Sequence, residues 1–517
     1  MIHHESRCAA KHKFRGLCAL ASVLALGCAS SGHPDIPAPG DKQNIADARG
    51  DQTGGRGETD VRTLGWIRVR NGRLTDEFGR QWIINGINAR IEGIFDVSFE
   101  DGRERLEPIP AFDETDADAM VGMGFNMLRL PINWSGVEPR EGLFSEEYLE
   151  RVDKVVEICG KAGLYVLVDF HQDAWSKEIG EDGAPIWAII PPPEKLLSGP
   201  LHDLESRRKS AQVLKASASF FTNKENIQNR FLPAWRKVTS RYSGAPHVIG
   251  FEPMNEPVCF HVPWGNQRLY EFYEKTTYAL REVDRRHSIW LEPESMMRNQ
   301  FLYAPKRKTP FPDDNVVYQP HLYPPGLGRH DRAGFVKRLS KTFDDMVKEG
   351  ASWGGATVIG EWGHNPADAN SREYFDAILE LADERHIGLV FWLWKEHCQG
   401  FWGFFDHDAA SGRWTPRSRG IEAFSRPRAL AVPGELATHR HDAQSGKLTV
   451  EFESRGGESA PLLHLPRDCF PEGFTAELDG KAVSVNIDEK TRRALVPWNG
   501  QAGFHRLVIR PAACSLR

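Results

Sequence analysis

The sequence has no surplus of basic charge: 65 lysines and arginines stand against 71 aspartates and glutamates, a formal net charge of -6 over 517 residues. No broad cationic surface is available to neutralise a phosphate backbone, which excludes nucleic acid as a partner. Cysteines at metal-site spacing are also lacking. Of the eight, Cys8, Cys18 and Cys28 fall in the N-terminal leader, while Cys159, Cys259, Cys398, Cys469 and Cys514 form no Cys-x-x-Cys pair. His171, Asp173 and His321 offer an alternative ligand set, but no His-Glu-x-x-His spacing is present, and no metal or other cofactor is expected. The length exceeds what one hydrophobic core supports, so one large domain and at least one smaller one are expected.

The apolar run Leu17 to Leu26 follows Arg7, Lys11, Lys13 and Arg15 and is too short to span a bilayer as a mature helix. Residues 1–28 therefore read as an export signal. The run ends Leu24-Ala25-Leu26-Gly27-Cys28, similar to a bacterial lipoprotein cleavage box with Ala25 where that pattern carries Leu. Lipidation of Cys28 and plain secretion both stay open. Residues 29–63 are rich in Gly, Asp, Ser and Pro with almost no large apolar side chains, the composition of a disordered tether. An extracytoplasmic protein is expected, secreted or held at the bacterial envelope, where Cys469 and Cys514 either bond or remain thiols.

Between residues 64 and 426 short apolar runs recur, each followed by a loop and often a helical stretch. They are Trp82 to Asn88, Phe125 to Leu130, Leu164 to Phe170, Val248 to Met254, Ser288 to Leu291, Val316 to Gln319, Thr357 to Ile359 and Gly388 to Leu393. Eight such strands close a (β/α)8 TIM barrel, whose strands are apolar throughout because core and helices cover both faces. One connecting helix is explicit: Leu149, Val152, Val156 and Cys159 fall at helical spacing behind Ser145, and Gly163 stops it. A doubly wound open sheet is the weaker alternative. From 427 to 517 helical patterns cease, and Lys447 to Phe452, Phe474 to Leu478, Val483 to Ile487, Ala494 to Val496 and His505 to Ile509 predict an antiparallel β-sandwich.

Barrel active sites lie where the strands end. The second run ends in Leu128-Arg129-Leu130-Pro131, the third in Asp169-Phe170-His171-Gln172-Asp173, the fourth in Asn255-Glu256-Pro257, the sixth in His321-Leu322-Tyr323, the seventh in Gly360-Glu361-Trp362 and the eighth in Trp392-Leu393-Trp394. A structural ion pair is the ordinary reading of one such glutamate. Two of them, Glu256 and Glu361, match the paired carboxylates that glycosidic cleavage needs, one protonated and one ionised. Arg129 and Tyr323 are placed to hold Glu361, Asn255 to hold a sugar 2-hydroxyl, and Asp169, His171 and Asp173 to bind other hydroxyls. Trp394, with Trp392 beside it, offers an apolar platform for a pyranose ring.

Taken in order, Asn126-Met127-Leu128-Arg129, Asn255-Glu256-Pro257, His321-Leu322-Tyr323, Glu361 and the eighth-strand Trp resemble glycoside hydrolase family 5, the cellulase family of clan A. The resemblance implies a retaining β-glycoside hydrolase with Glu256 as acid/base and Glu361 as nucleophile. Asp169-Phe170-His171-Gln172-Asp173 with the terminal sandwich is similar to the endoglycoceramidase branch, which implies a glycolipid substrate cut between glycan and ceramide, with Asp169 and His171 on the glycone. Where that branch often carries a first-strand Lys, this sequence has Arg90. A β-glucosidase or steryl glucosidase and an endo-β-1,4-glucanase share much of this pattern, and an inactive glycan-binding barrel is the non-enzymatic alternative. Trp187 to Pro193 and Gly400 to Phe405, on the active-site face, offer apolar groups for an aglycone or a membrane surface, or pack inward. A monomer is expected.

Overall fold

The computed structural model describes residues 60–301, 304–324, 332–397 and 402–512. The leader, Cys28, the tether up to residue 59, Cys398, Gly400, Phe401 and Cys514 lie outside the described residues. Among those described, no helix is long and apolar enough to cross a membrane.

Eight parallel strands form a closed ring: Asn85–Asn88, Met127–Ile132, Tyr165–Phe170, Val248–Glu252, Ser288–Leu291, Val316–Tyr318 extended by His321–Leu322, Ala356–Trp362 and Gly388–Phe391. The last pairs back to the first through Leu389 opposite Asn85, so the sheet has no edge. Alternation along each strand separates two environments. Leu128, Leu130, Val166 and Val168 face the helices, while Met127, Tyr165 and Leu167 face the barrel interior. The inward residues one step further toward the strand ends are Arg129 and Asp169, so the interior changes from apolar to charged along its axis. The helix Glu146–Ala162 is capped by Ser145, whose side chain accepts from the Tyr148 N–H, and ends at Gly163 in the left-handed conformation, φ 85°.

The sandwich is present, but its boundary differs from the expected one. Ile67–Arg70, Arg73–Asp76 and Arg80–Trp82, placed by sequence with the barrel, join Arg428–Pro433, Leu462–His464, Arg493–Leu495 and Asn486–Ile487 in one sheet. The expected first strand, Trp82 to Asn88, is thus two strands: Trp82 pairs antiparallel with Ala431, and the barrel strand begins at Asn85. No turn residue separates them because both sheets bury their share of the run. A second sheet, Glu435–Asp442, Lys447–Ser454, Gly503–Pro511, Phe474–Leu478 and Lys481–Ala482, packs on the first through Leu436, Val450, Phe452 and Ile509. The first sheet also closes the barrel floor, where Ile67, Leu74, Trp82 and Leu430 share one apolar cluster with Met127, Trp290 and Val390. The long segment after the third strand packs inward: Ala188, Ile189 and Ile190 are buried, and Trp187 meets Trp134 edge to face.

A charged tie joins the two parts beside the floor. Asp383, on the barrel helix Ser371–Arg385, lies 2.8 Å from Arg426 Nη2 and 3.1 Å from His439 Nδ1. Burial pushes this carboxyl upward, but Arg426 and then His439 hold it far below the usual carboxylate range. Its stabilisation is therefore complete above the unfolded-state value of about 3.9 and disappears as pH falls through the lower folded-state value. Asp383→Asn is expected to cost about 3 kcal/mol in urea unfolding at neutral pH, because Arg426 stays buried without its counter-ion. The gap to wild type should narrow below about pH 4; equal midpoints at neutral pH would remove Asp383 from this role.

Candidate active site

Arg129 organises the mouth of the barrel. Fully buried, it donates from Nε to Glu252 Oε2 at 2.8 Å and from Nη2 to Glu252 Oε1 at 2.7 Å. Nη2 also reaches Asn255 Oδ1 at 2.8 Å and Asp169 Oδ2 at 3.0 Å. Nη1 donates to Glu361 Oε1 at 2.7 Å and to Asn88 Oδ1 at 3.0 Å. One rigid guanidinium on strand two thus sets the positions of groups from strands one, three, four and seven, which the planar fork of Arg suits and a Lys ammonium would not. Tyr323 donates to the other oxygen of Glu361 at 2.7 Å.

His321 is the second organiser. Its Nδ1 is 3.0 Å from Glu256 Oε1 and 3.4 Å from Glu361 Oε2, and its Nε2 is 3.1 Å from Glu292 Oε1. Oxygens of Glu256 and Glu361 and a ring nitrogen of His321 all lie within 4.8 Å of one another. Both this trio and Glu252, Glu292 and His321 have the spacing of a metal ligand set, but the Arg129 guanidinium already pairs with one member of each, 2.7 Å from Glu361 and from Glu252. Glu256 has φ 38°, in the left-handed region that favours glycine. It is held there by its N–H donating to Glu292 Oε1 at 3.0 Å and by Gln172 Nε2 donating to its carbonyl at 3.0 Å.

The site holds more carboxylates than cations, and burial decides which of them ionise. Burial drives Asp169 and Glu292 well above the usual carboxylate range. It acts the same way on Glu252, where Arg129 outweighs it and holds the group down. Burial lowers His321, but Glu292, Glu361 and Glu256 together raise it well above its ordinary value. For Glu256 burial pushes up, and the hydrogen bond and charge of His321, with Arg208, pull it down to about 2. Glu361 is raised, since burial exceeds the pull of His321 and Arg129. These groups share protons and titrate as one unit.

The remaining expected residues divide. His171 hydrogen-bonds Asp169 Oδ2 at 2.6 Å through Nδ1 and stacks on Trp392, ring centroids 5.6 Å apart. Burial and the charge of Arg129 lower His171 to about 4, leaving it neutral. Asp169 is itself fully buried behind His171 and Arg129. Trp394 is not the exposed platform expected: it is buried, donates to Asp116 Oδ1 at 2.9 Å and packs on Phe405. The half-buried tryptophan on this strand end is Trp392. Asp173 is engaged by Arg208, from Nε at 2.7 Å and also from Nη2. Arg90 is buried in an ion cluster with Glu107, Glu181 and Glu396. Sequence reasoning missed Glu252, Glu292 and Gln172; Trp402, within the apolar run Gly400 to Phe405, has its ring 5.3 Å from Tyr323. Glu292 ends the fifth strand as Glu256 follows the fourth, so the same rule, applied there, would have found it.

The model of Cellulase (glycosyl hydrolase family 5) matches residues 106–397. Endoglycoceramidase I of Rhodococcus hoagii is 26% identical over 434 residues, 80% of this chain and 82% of that relative. Cellodextrinase A of Ruminococcus flavefaciens is 28% identical over 306 residues, 58% of this chain and 70% of the relative. Solved structures of endo-glycoceramidase II from Rhodococcus sp., one of them a lactosyl-enzyme intermediate, superpose with a TM-score of 0.72 at 25% identity, covering 85% of this chain and all of theirs.

Removing the imidazole as His321→Asn takes away the positive charge between Glu256 and Glu361, so burial and mutual repulsion raise both. The bell-shaped pH profile of kcat/KM on a soluble aryl β-glycoside should then move alkaline by about one unit, with a fall of about tenfold or more. An unmoved profile would show that His321 carries no charge there.

Proposed function

The chain belongs to glycosyl hydrolase family 5 and is an O-glycosyl hydrolase; on that footing we propose that it cleaves a β-glycosidic bond of a glycolipid by double displacement, with retention, releasing the sugar from a ceramide-type aglycone. The observation that carries the mechanism is the distance of at most 4.8 Å between oxygens of Glu256 and Glu361. A pair at about 5 Å leaves no room for the water that inversion needs and suits direct attack. The observation that favours a glycolipid is the relative itself: the endoglycoceramidase aligns with 80% of this chain and the cellodextrinase with 58%.

Glu361 is the nucleophile. Donors sit on both of its oxygens, Arg129 on one and Tyr323 on the other, which is what an attacking carboxylate needs to keep its orientation and its negative charge. Glu256 is the acid/base. Its side chain is more open, 21% exposed against 6% for Glu361, as suits a group that must meet a leaving oxygen and later a water. His321 Nδ1, within reach of both carboxyls, offers a short route by which a proton reaches Glu256. Glu361 then bonds to the anomeric carbon as the bond to the aglycone oxygen breaks, and that oxygen takes the proton of Glu256. Glu256, now ionised, removes a proton from water, whose oxygen displaces Glu361 and frees the sugar in its original configuration. Asn255, fixed by Arg129 and by donation to Gln172 O at 3.0 Å, stands beside Glu256 to meet the 2-hydroxyl. Trp392, backed by His171, supplies the stacking face first assigned to Trp394. The extracytoplasmic setting read from the leader belongs to the same proposal.

Glu361→Gln is expected to lower turnover by about 10⁴-fold or more on any substrate. Glu256→Ala should lose about 10²- to 10⁴-fold on glycolipid yet keep much of its rate on a dinitrophenyl glycoside, whose leaving group needs no proton. Added azide should then accelerate it and give the β-glycosyl azide. Near wild-type rates on glycolipid in either variant, or an α-azide, would overturn the assignment.

A further inference from the structure

Among the described residues eight large apolar side chains are exposed, and five of them, Leu143, Ile186, Leu196, Phe260 and Trp264, lie in the loops after barrel strands two, three and four. Those loops rise from the face on which Glu256 stands, since the helices that follow run back down the barrel. Phe260 is 53% exposed and Trp264 79%. Trp264 is moreover held at φ 61°, immediately before the helix Gly265–Arg281, in a backbone conformation that bulky side chains rarely adopt. A large indole kept in water on such a backbone is a cost without a folded-state return, since no aromatic partner covers it among the described residues.

The five side chains belong to one connected rim. Ser217, on the helix Ala211–Phe221, donates to Val258 O, and His261 Nε2 is 2.9 Å from Leu214 O. Gln212 on the same helix donates to Lys195 O at 3.2 Å, next to Leu196. Arg230 ties the strand-two loop to the strand-three loop, pairing with Glu141 at 2.5 Å and covering the Trp187 ring at 5.0 Å, beside Leu143 and Ile186 respectively. Two charge pairs close within this rim, Arg230 with Glu141 and Lys215 with Glu194, while Arg140 and Lys195 stay exposed beside Leu143 and Leu196.

We infer that this rim is a docking surface for a lipid interface, with Phe260 and Trp264 entering the headgroup region. The inference rests on the glycolipid reading. The leaving oxygen must come within hydrogen-bond reach of Glu256, so the aglycone departs past the residues that directly follow it, Pro257 to Trp264. Docking there brings the barrel mouth to a substrate whose lipid part stays in the interface, and Trp is the side chain best suited to that boundary.

The test is partition of the full chain onto phosphatidylcholine vesicles, wild type against Phe260→Ser with Trp264→Ser, the leader being the same in both. The wild type is expected to bind and the double variant to bind about tenfold less or weaker, as loss of two interfacial aromatics dictates, while turnover of a soluble aryl β-glycoside is unchanged. Brominated phosphatidylcholine should also quench the wild type more than Trp264→Phe, a reading that survives if the double variant folds poorly. Equal partition and equal quenching, or a wild-type dimer that the substitutions dissociate, would overturn the inference. Soluble-substrate turnover without vesicle binding would reject the docking surface alone, and vesicle binding without glycolipid turnover would reject the substrate alone.

Discussion

The site depends on a single buried cation. Arg129 stands where the barrel interior turns from apolar to polar, and Glu252, Asp169 and Glu361 converge on its guanidinium. Three carboxyls cannot be brought that close in a low-dielectric interior without compensation, and one arginine cannot neutralise them all. Burial raises Asp169 and Glu292 well above the usual carboxylate range, while Arg129 holds Glu252 below it. What remains is a geometry in which Glu361 is oriented by donors on both oxygens and Asn255 is turned by the same guanidinium. The catalytic arrangement is in this sense a solution to a charge-burial problem.

His321 makes the site a unit. Lying between Glu256, Glu361 and Glu292, it couples their protonation, so the proton for the leaving group and the charge for attack are two states of one cluster. A ring nitrogen 3.0 and 3.4 Å from the two carboxyls keeps proton exchange between them short-range. The strained φ of Glu256 and the clasp of Gln172 on its carbonyl hold that carboxyl at the rim of the cluster, toward the aglycone.

Much of this was legible in the sequence because both signals are local. Eight apolar runs end in polar residues, and the rule that barrel chemistry sits at strand ends picks out Arg129, Glu256, His321, Tyr323 and Glu361 directly. What was illegible depends on contacts between distant segments. That Trp82 pairs with Ala431, and so leaves the barrel, is decided by a strand more than three hundred residues away. Trp392 and Trp394, two residues apart, would share a face in a regular strand, and only the contact with Asp116 shows that Trp394 turns inward. Arg90 and Asp173 look like sugar ligands in isolation; Glu107 and Arg208, in separate loops, engage them first. Glu292 directly follows the fifth run, Ser288 to Leu291, where the strand-end rule applies equally.

The most direct test of the account is to trap the covalent intermediate with a 2-deoxy-2-fluoro-β-glycoside bearing a good leaving group and to locate the sugar by peptide mass spectrometry. The charge arrangement around Arg129 and Tyr323 predicts a single ester on Glu361. A label on Glu256, or steady turnover to the α-anomer with no label anywhere, would contradict it.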